Sequence, residues 1–122
     1  MPSTQAEVYL GNPNLKKANV TQEFTKKEVA EYLKCAKDPV YFIREYIKIV
    51  SLDEGLIPFK MYHFQEEMVE KFHTNRFNIA KLPRQSGKST IVTSYLLWYV
   101  LFNANVNVAI LANKAATARE ML

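Results

Sequence analysis

The residues best suited to chemistry lie in segment 82–90, which reads Leu-Pro-Arg-Gln-Ser-Gly-Lys-Ser-Thr. An apolar run, residues 77–81, precedes it, and a longer apolar run, residues 91–102, follows it. A strand, a tight loop with Gly-Lys-Ser and then a helix form the arrangement of a phosphate-binding P-loop. In such a loop, backbone N–H groups and the positive end of the helix dipole converge on an anion. We therefore expect nucleotide binding here, although Gly-Lys-Ser alone also suits a simple polar turn.

Three side chains of this segment have distinct expected roles. Lys88 would reach the β- and γ-phosphates as a point charge, and the Ser89 hydroxyl would help to hold Mg²⁺. Leu82 stands where the usual P-loop pattern has its first glycine, and Arg84 lies inside the loop. A guanidinium makes planar, bidentate contacts with phosphate oxygens, so Arg84 could act as an arginine finger from within the same chain. The alternative is that Arg84 forms an ordinary surface salt bridge.

The elements that would position these residues begin with helices. Residues 1–24 have little periodicity and predict an extended or mobile arm. A capping box, Thr25 with Glu28, predicts the first helix start. Asp38 as N-cap and Pro39 at the first helical position predict a second helix, with an apolar stripe that reaches Val50. The stripe expected on the inner face of a third helix, residues 59–73, is Met61, Phe64, Met68 and Phe72.

The second half of the chain predicts alternating strands and helices. Residues 51–58 indicate a connecting loop. Residues 77–82 and 106–111 predict strands, 91–102 predicts a helix that is apolar all round, and 115–122 predicts another helix. The expected fold is therefore α/β, with N-terminal helices followed by the first β-α-β-α units of a P-loop NTPase parallel sheet.

Composition sets broad limits on the chain. A length of 122 residues suits one small domain, and the net charge of +4 permits nucleic acid as a partner without requiring it. The single cysteine, Cys35, excludes an intrachain disulfide and fits a reducing cytoplasm. No apolar run reaches the length of a membrane span. His63 and His73 have no partners at metal-ligand spacing.

Three ordered motifs resemble one protein family. Arg-Gln-x-Gly-Lys-Ser at 84–89, Phe-Gln-Glu-Glu-Met at 64–68 and Val-Ala-Ile-Leu-Ala-Asn-Lys at 108–114 agree in order and spacing with the large subunits of the DNA-packaging terminases of T4-like tailed bacteriophages. The resemblance extends from about Cys35 to Leu122. It implies an ATPase motor that moves double-stranded DNA into a viral capsid.

The resemblance also implies a set of site residues. Arg84 and Lys88 would be catalytic, Ser89 would contact Mg²⁺, and Gln65 would read adenine as in the Q motif of related motors, although an exposed helical glutamine is the commoner state. The expected ATP-binding residues are Gln65, Arg84, Gln85, Ser86, Gly87, Lys88, Ser89 and Thr90. Lys114 and Arg119 follow the second predicted strand, where related motors contact nucleic acid, but such residues are more often only solvated.

The resemblance further implies the setting of the motor. Its partners would be the capsid portal protein, the small terminase subunit and further copies in a ring, within the cytoplasm of a bacterial host and transiently on the prohead. We expect residues 25–122 to be the N-terminal portion of an ATPase domain, because no strand ending in paired acids follows Ser89. On that expectation the chain alone would hydrolyse ATP negligibly. A helicase-like translocase and a non-hydrolysing assembly module remain alternatives.

Overall fold

The computed structural model describes residues 8–21 and 23–122 of the chain. The chain divides into one unit that ends at Ala30 and a second unit, Glu31–Leu122. The prediction of a mixed α/β protein is confirmed, since both helices and strands are present. Within the described residues, however, the strands form two separate antiparallel hairpins, and no parallel sheet is seen.

The first unit contains a short hairpin where the sequence predicted an arm. Strand β1 (Val8–Tyr9) pairs with β2 (Asn12–Lys16). The turn residues Leu10 and Gly11 have φ of 50° and 75°. Two consecutive positive φ angles are those of a type I′ turn, whose twist suits a hairpin. Residues 1–7 and residue 22 lie outside the described residues.

The first two helices begin at the caps that the sequence predicted. Helix α1 (Lys26–Lys37) follows Thr25, whose N–H donates to Glu28 Oε2 at 2.7 Å, and the Glu28 N–H donates to Thr25 Oγ1 at 3.3 Å. The hydrogen bonds that the Glu28 carboxylate accepts from the N–H and the hydroxyl of Thr25 lower the pKa of Glu28. Helix α2 (Pro39–Tyr46) follows Asp38. The Asp38 Oδ1 accepts hydrogen bonds from the N–H groups of Val40 and Tyr41.

A second hairpin replaces the predicted end of α2 and the loop after it. Strand β3 (Lys48–Ser51) pairs with β4 (Gly55–Pro58), and the Phe59 N–H extends the ladder to Ile47 O at 2.9 Å. The prediction that the helical stripe reaches Val50 was therefore wrong. A turn of three residues followed by a glycine at φ 72° closes the hairpin, which is a common hairpin geometry.

Three more helices complete the described fold: α3 (His63–Thr74), α4 (Lys88–Phe102) and α5 (Ala115–Glu120). Helices α2, α3 and α4 pack on one another, and β4 contacts α2. The buried apolar side chains of the described residues, including one from α1 and one just after β4, form one core: Cys35, Phe42, Ile43, Phe59, Val69, Ile91 and Trp98. The Trp98 Nε1–H donates to Cys35 O at 2.8 Å and so ties α4 to α1.

Two helices are buried differently from what the sequence predicted. Of the stripe predicted for α3, Met61, Met68 and Phe72 are half-buried, with the two methionines packed against the core, whereas Phe64 is exposed and stacks on Tyr62. The fully buried residues of α3 are Gln65 and Val69. Helix α4 is not enclosed on all sides, because Ile91, Ser94 and Trp98 are buried while its opposite face is exposed. One packed stripe at helical spacing is the usual pattern for a surface helix.

The two predicted parallel strands form no ladder among the described residues. Residues 77–82 and 106–111 are in neither of the two sheets. Phe77 is 83% exposed and Ile79 is 101% exposed, so these apolar side chains lack the cover that a sheet between helices would give them. Strand geometry needs a hydrogen-bonded neighbour, and neither segment has one in the described chain.

Candidate functional site

The start of helix α4 is the centre of the candidate site. Gly87 is the N-cap residue, with φ 72° and ψ 15°, and the first helical hydrogen bond runs from the Ile91 N–H to Gly87 O at 3.0 Å. No side chain caps this end, in contrast to the ends formed by Thr25 and Asp38. The N–H groups of the first helical turn have no intrahelical acceptor. They are therefore available to an anion, which the helix dipole also favours.

The loop before the helix is a compact turn. The Ser86 Oγ donates to Pro83 O at 3.0 Å and closes the turn on itself. Gln85 has φ 60° and Gly87 has φ 72°, so two residues of the loop lie in the left-handed region. A left-handed non-glycine residue carries a conformational cost of about 1–2 kcal/mol. Such local strain is common where a backbone is shaped for a ligand.

The two cations of this segment, Arg84 and Lys88, are exposed and have no salt-bridge partner in the described part of the chain. Arg84, Lys88 and Ser89 are exposed. Within the described residues, neither cation forms a salt bridge, because the observed bridges join Arg44 to Glu66 and Lys71 to Glu67. The alternative role of Arg84 was an ordinary surface salt bridge, and no described acidic residue forms one with it. In sequence, Lys88 is the first residue of α4, and Arg84 lies shortly before the N-cap residue Gly87.

Gln65 is the most constrained of the expected site residues. Its side chain is 2% exposed. The amide Oε1 accepts from the Tyr62 N–H at 2.9 Å, and Nε2 donates to Ser86 O at 3.2 Å. A methyl group on Gly87 would lie 2.6 Å from Nε2. Gln65 thus contacts the loop backbone directly, and adenine reading by this residue stays a prediction.

A cavity of about 650 Å³ opens beside the loop. Its apolar wall includes Ile49 and Phe59, and its loop side includes Gln85 to Gly87 and Thr90. Tyr62 and Phe64 lie at its edge with ring centroids 5.9 Å apart and planes 7° apart. A mostly apolar cavity with a few polar groups next to an anion site could hold a flat heterocycle. Of the expected site residues, the structure brings Gln65, Gln85, Ser86, Gly87 and Thr90 together around this cavity.

Two other expected residues, Lys114 and Arg119, do not line this cavity. Lys114 is the N-cap residue of α5, and the Arg119 Nε–H donates to Ala115 O at 3.4 Å. No group of three or more His, Cys, Asp or Glu side chains in the described part of the chain could hold a metal ion. Ser89 could contribute only its hydroxyl to a metal that the phosphates of a nucleotide already hold.

Sequence reasoning missed the far wall of the cavity. Ile49 and Val50 come from β3, and Lys60 and Tyr62 come from the segment before α3. The spacing of Gly55 after Ser51, with apolar residues on both sides, was the available signal for the hairpin. No sequence pattern indicated that this hairpin would face the loop, because that contact depends on the tertiary packing of α2.

No protein-family model matches this sequence. Among the described residues, no helix is long and apolar enough to cross a membrane.

Proposed function

We propose that this protein binds ATP at the loop before α4, as the nucleotide-binding part of a viral DNA-packaging motor. The observation that carries the proposal is the uncapped N-terminus of α4, with Lys88 and Arg84 exposed and without a salt bridge to any described residue. An open set of backbone N–H groups, a helix dipole and two free cations together favour a polyphosphate.

The residues present fit a nucleotide in three respects. The loop end supplies N–H donors and cations for the phosphates, the adjoining cavity supplies apolar and aromatic walls for a base, and Ser89 supplies an exposed hydroxyl for Mg²⁺. Bound ATP with Mg²⁺ would supply a phosphoryl group for transfer to water. Lys88 would bind the phosphates, and Arg84 would neutralise the negative charge that grows on the transferring group.

The finer fold belongs to the same proposal. Residues 77–82 and 106–111 would be parallel strands joined through α4, as in P-loop NTPases. Two features support this assignment: the chain order places α4 between the two segments, and apolar side chains in both are exposed. The motor function, with double-stranded DNA, a portal protein and a ring of subunits as partners, rests on the resemblance of the three motifs.

Equilibrium binding of a fluorescent ATP analogue with Mg²⁺ tests the nucleotide site. We expect saturable binding that Lys88→Ala weakens by at least about tenfold, because an ion-paired hydrogen bond to phosphate contributes about 1.5–3 kcal/mol. Lys37→Ala is the matched control, since it removes the same charge from the last turn of α1. Absence of binding by the wild-type protein, or equal affinities in the two variants, would show that the loop is not a nucleotide site.

A further inference from the structure

Gln65 joins the start of one helix to the loop before another. Through Oε1 it accepts from the N–H of Tyr62, the N-cap residue of α3, and through Nε2 it donates to Ser86 O in the loop. The orientation of the amide follows from its partners, because a backbone N–H can only donate and a carbonyl can only accept. One buried side chain therefore satisfies a backbone donor and a backbone acceptor in two separate segments.

Burial makes these two hydrogen bonds consequential. Gln65 is 2% exposed, and both of its backbone partners are held in partly buried hydrogen bonds, so the amide itself has no solvent alternative to them in the folded chain. An unsatisfied buried polar group costs about 1–3 kcal/mol. The amide occupies the space that a side chain at position 87 would need, since a Cβ built on Gly87 would lie 2.6 Å from Nε2. The loop backbone and the amide are thus fitted to each other.

We infer that Gln65 is a positioning residue that holds the phosphate loop in its anion-binding shape, rather than the group that reads the base. This inference rests on the proposed function for its consequence in ligand binding. Its structural part concerns the loop alone. Loss of the Ser86 contact should let residues 83–87 leave the compact turn, and the N–H groups at the start of α4 would then no longer converge on one point.

Limited trypsin digestion tests the loop without any ligand. The substitution Gln65→Glu keeps size and shape and keeps the acceptor for the Tyr62 N–H, but it replaces the donor to Ser86 O with an acceptor. We expect cleavage after Arg84 to be about tenfold faster than in the wild type, as loss of one buried hydrogen bond predicts. Cleavage after Lys71, within α3, should not change and serves as the internal reference for global opening. The control Glu70→Gln lies on the same helix, is exposed and leaves the ion pair between Glu67 and Lys71 intact.

A pair of glycine variants provides a second test. Gly87 and Gly55 both have φ 72°, but a Cβ on Gly55 would meet nothing within 4 Å. Both alanine variants therefore carry the same backbone strain, and only Gly87→Ala pushes on Gln65. We expect faster cleavage after Arg84 in Gly87→Ala and an unchanged rate in Gly55→Ala. Equal rates in the two variants would overturn the inference, as would a Gln65→Glu effect of the same size at Lys71.

Binding of inorganic tripolyphosphate separates positioning from base reading, because this ligand has no base. Positioning predicts that Gln65→Met, which removes the amide without adding a charge, weakens tripolyphosphate and ATP by the same factor. A loss confined to ATP would show that Gln65 contacts the base and would overturn the inference. If the wild-type protein binds neither ligand, the proposed function fails, and the trypsin comparison still decides whether Gln65 holds the loop.

Discussion

At the scale of single residues, Lys88 and Arg84 carry similar charge but have different expected roles. Lys88 would contact phosphates before and during the reaction, whereas Arg84 would act mainly as charge develops on the transferring group. In the proposed motor, Lys88→Ala should therefore lose both ATP affinity and turnover. Arg84→Ala should lose turnover by a factor on the order of 10³ with little change in affinity. Binding of an ATP analogue, measured beside single-turnover hydrolysis, separates the two effects.

Arg84→Lys provides the control for charge alone. We expect no rescue, because an ammonium group lacks the planar pair of donors that a guanidinium offers to phosphate oxygens. A near wild-type turnover in Arg84→Ala would rule out the transition-state role. So would a loss of ATP binding as complete as in Lys88→Ala.

The N-cap of α2 gives a stability prediction. Asp38 Oδ1 accepts from the Val40 and Tyr41 N–H groups at 2.9 and 3.1 Å. Asp38→Ala should lower the free energy of unfolding by about 1 kcal/mol, the usual cost of losing such a cap. Urea denaturation followed by circular dichroism measures it, and Asp53→Ala, in the turn between β3 and β4, is the control. Equal midpoints for the two variants would contradict the capping role.

Residue-scale features differed in how far the sequence could predict them. The caps at Thr25 and Asp38 were predictable because each depends on residues two or three positions away. The inward direction of Gln65 was not, because its partner Ser86 lies 21 positions along the chain. An apolar stripe does not predict the buried face of a helix when a hydrogen bond draws a polar side chain inward. In α3, the hydrogen bond to Ser86 O does this for Gln65.

At the scale of elements, a carboxylate links α1 to α2. Glu31 Oε1 accepts from the Tyr41 hydroxyl at 2.6 Å and from the Tyr46 hydroxyl at 3.0 Å. These hydrogen bonds lower the pKa of Glu31, and the same contact raises the pKa of Tyr46 to about 12. A carboxylate whose pKa is lowered by folding stabilises the fold above its unfolded pKa, and that contribution is lost as pH falls through the folded value.

Glu31→Gln should therefore lower stability at neutral pH and make the protein less sensitive to acid below about pH 4.3, the ordinary glutamate value. Urea midpoints between pH 7 and pH 3 measure both effects. Glu70→Gln, on the outer face of α3, is the control. If the urea midpoint falls with acid by the same amount in the wild type and in Glu31→Gln, this link does not contribute to stability.

The β3–β4 hairpin shows why one element was missed. Ile47 and Val50, before the turn, also fit the stripe predicted for α2, so the local pattern favoured a longer helix up to Val50 and a loop after it. The turn geometry at Gly55 and the added ladder bond from Phe59 to Ile47 decide for the hairpin. Pairing between strands is a nonlocal energy that a single short apolar run does not reveal.

At the scale of the whole molecule, exposed apolar side chains predict self-association. Phe77, Ile79 and Leu111 are 83%, 101% and 91% exposed, and they lie in the two segments without strand partners. Unpaired backbone and uncovered apolar surface together favour association between copies. Sedimentation velocity at increasing concentration should show growing complexes rather than a constant monomer.

The substitution Ile79→Lys should reduce this association, because it places a charge within the apolar segment. Leu52→Lys is the matched control, since Leu52 is 103% exposed but lies in the turn between β3 and β4. A concentration-independent monomer in the wild type, or the same effect from both variants, would contradict the role assigned to segment 77–82.

The single tryptophan is an intrinsic fluorescent probe of the junction between α1 and α4. Trp98 is 3% exposed and lies near the rings of Tyr95 and Phe102, with its indole N–H bound to Cys35 O. Its emission should be blue-shifted in the native protein and should move to longer wavelength only when this junction opens. About 15 Å of helix separate it from Lys88 at the loop. One fluorophore, already in the chain, can therefore report whether events at the loop are transmitted along α4 to the core.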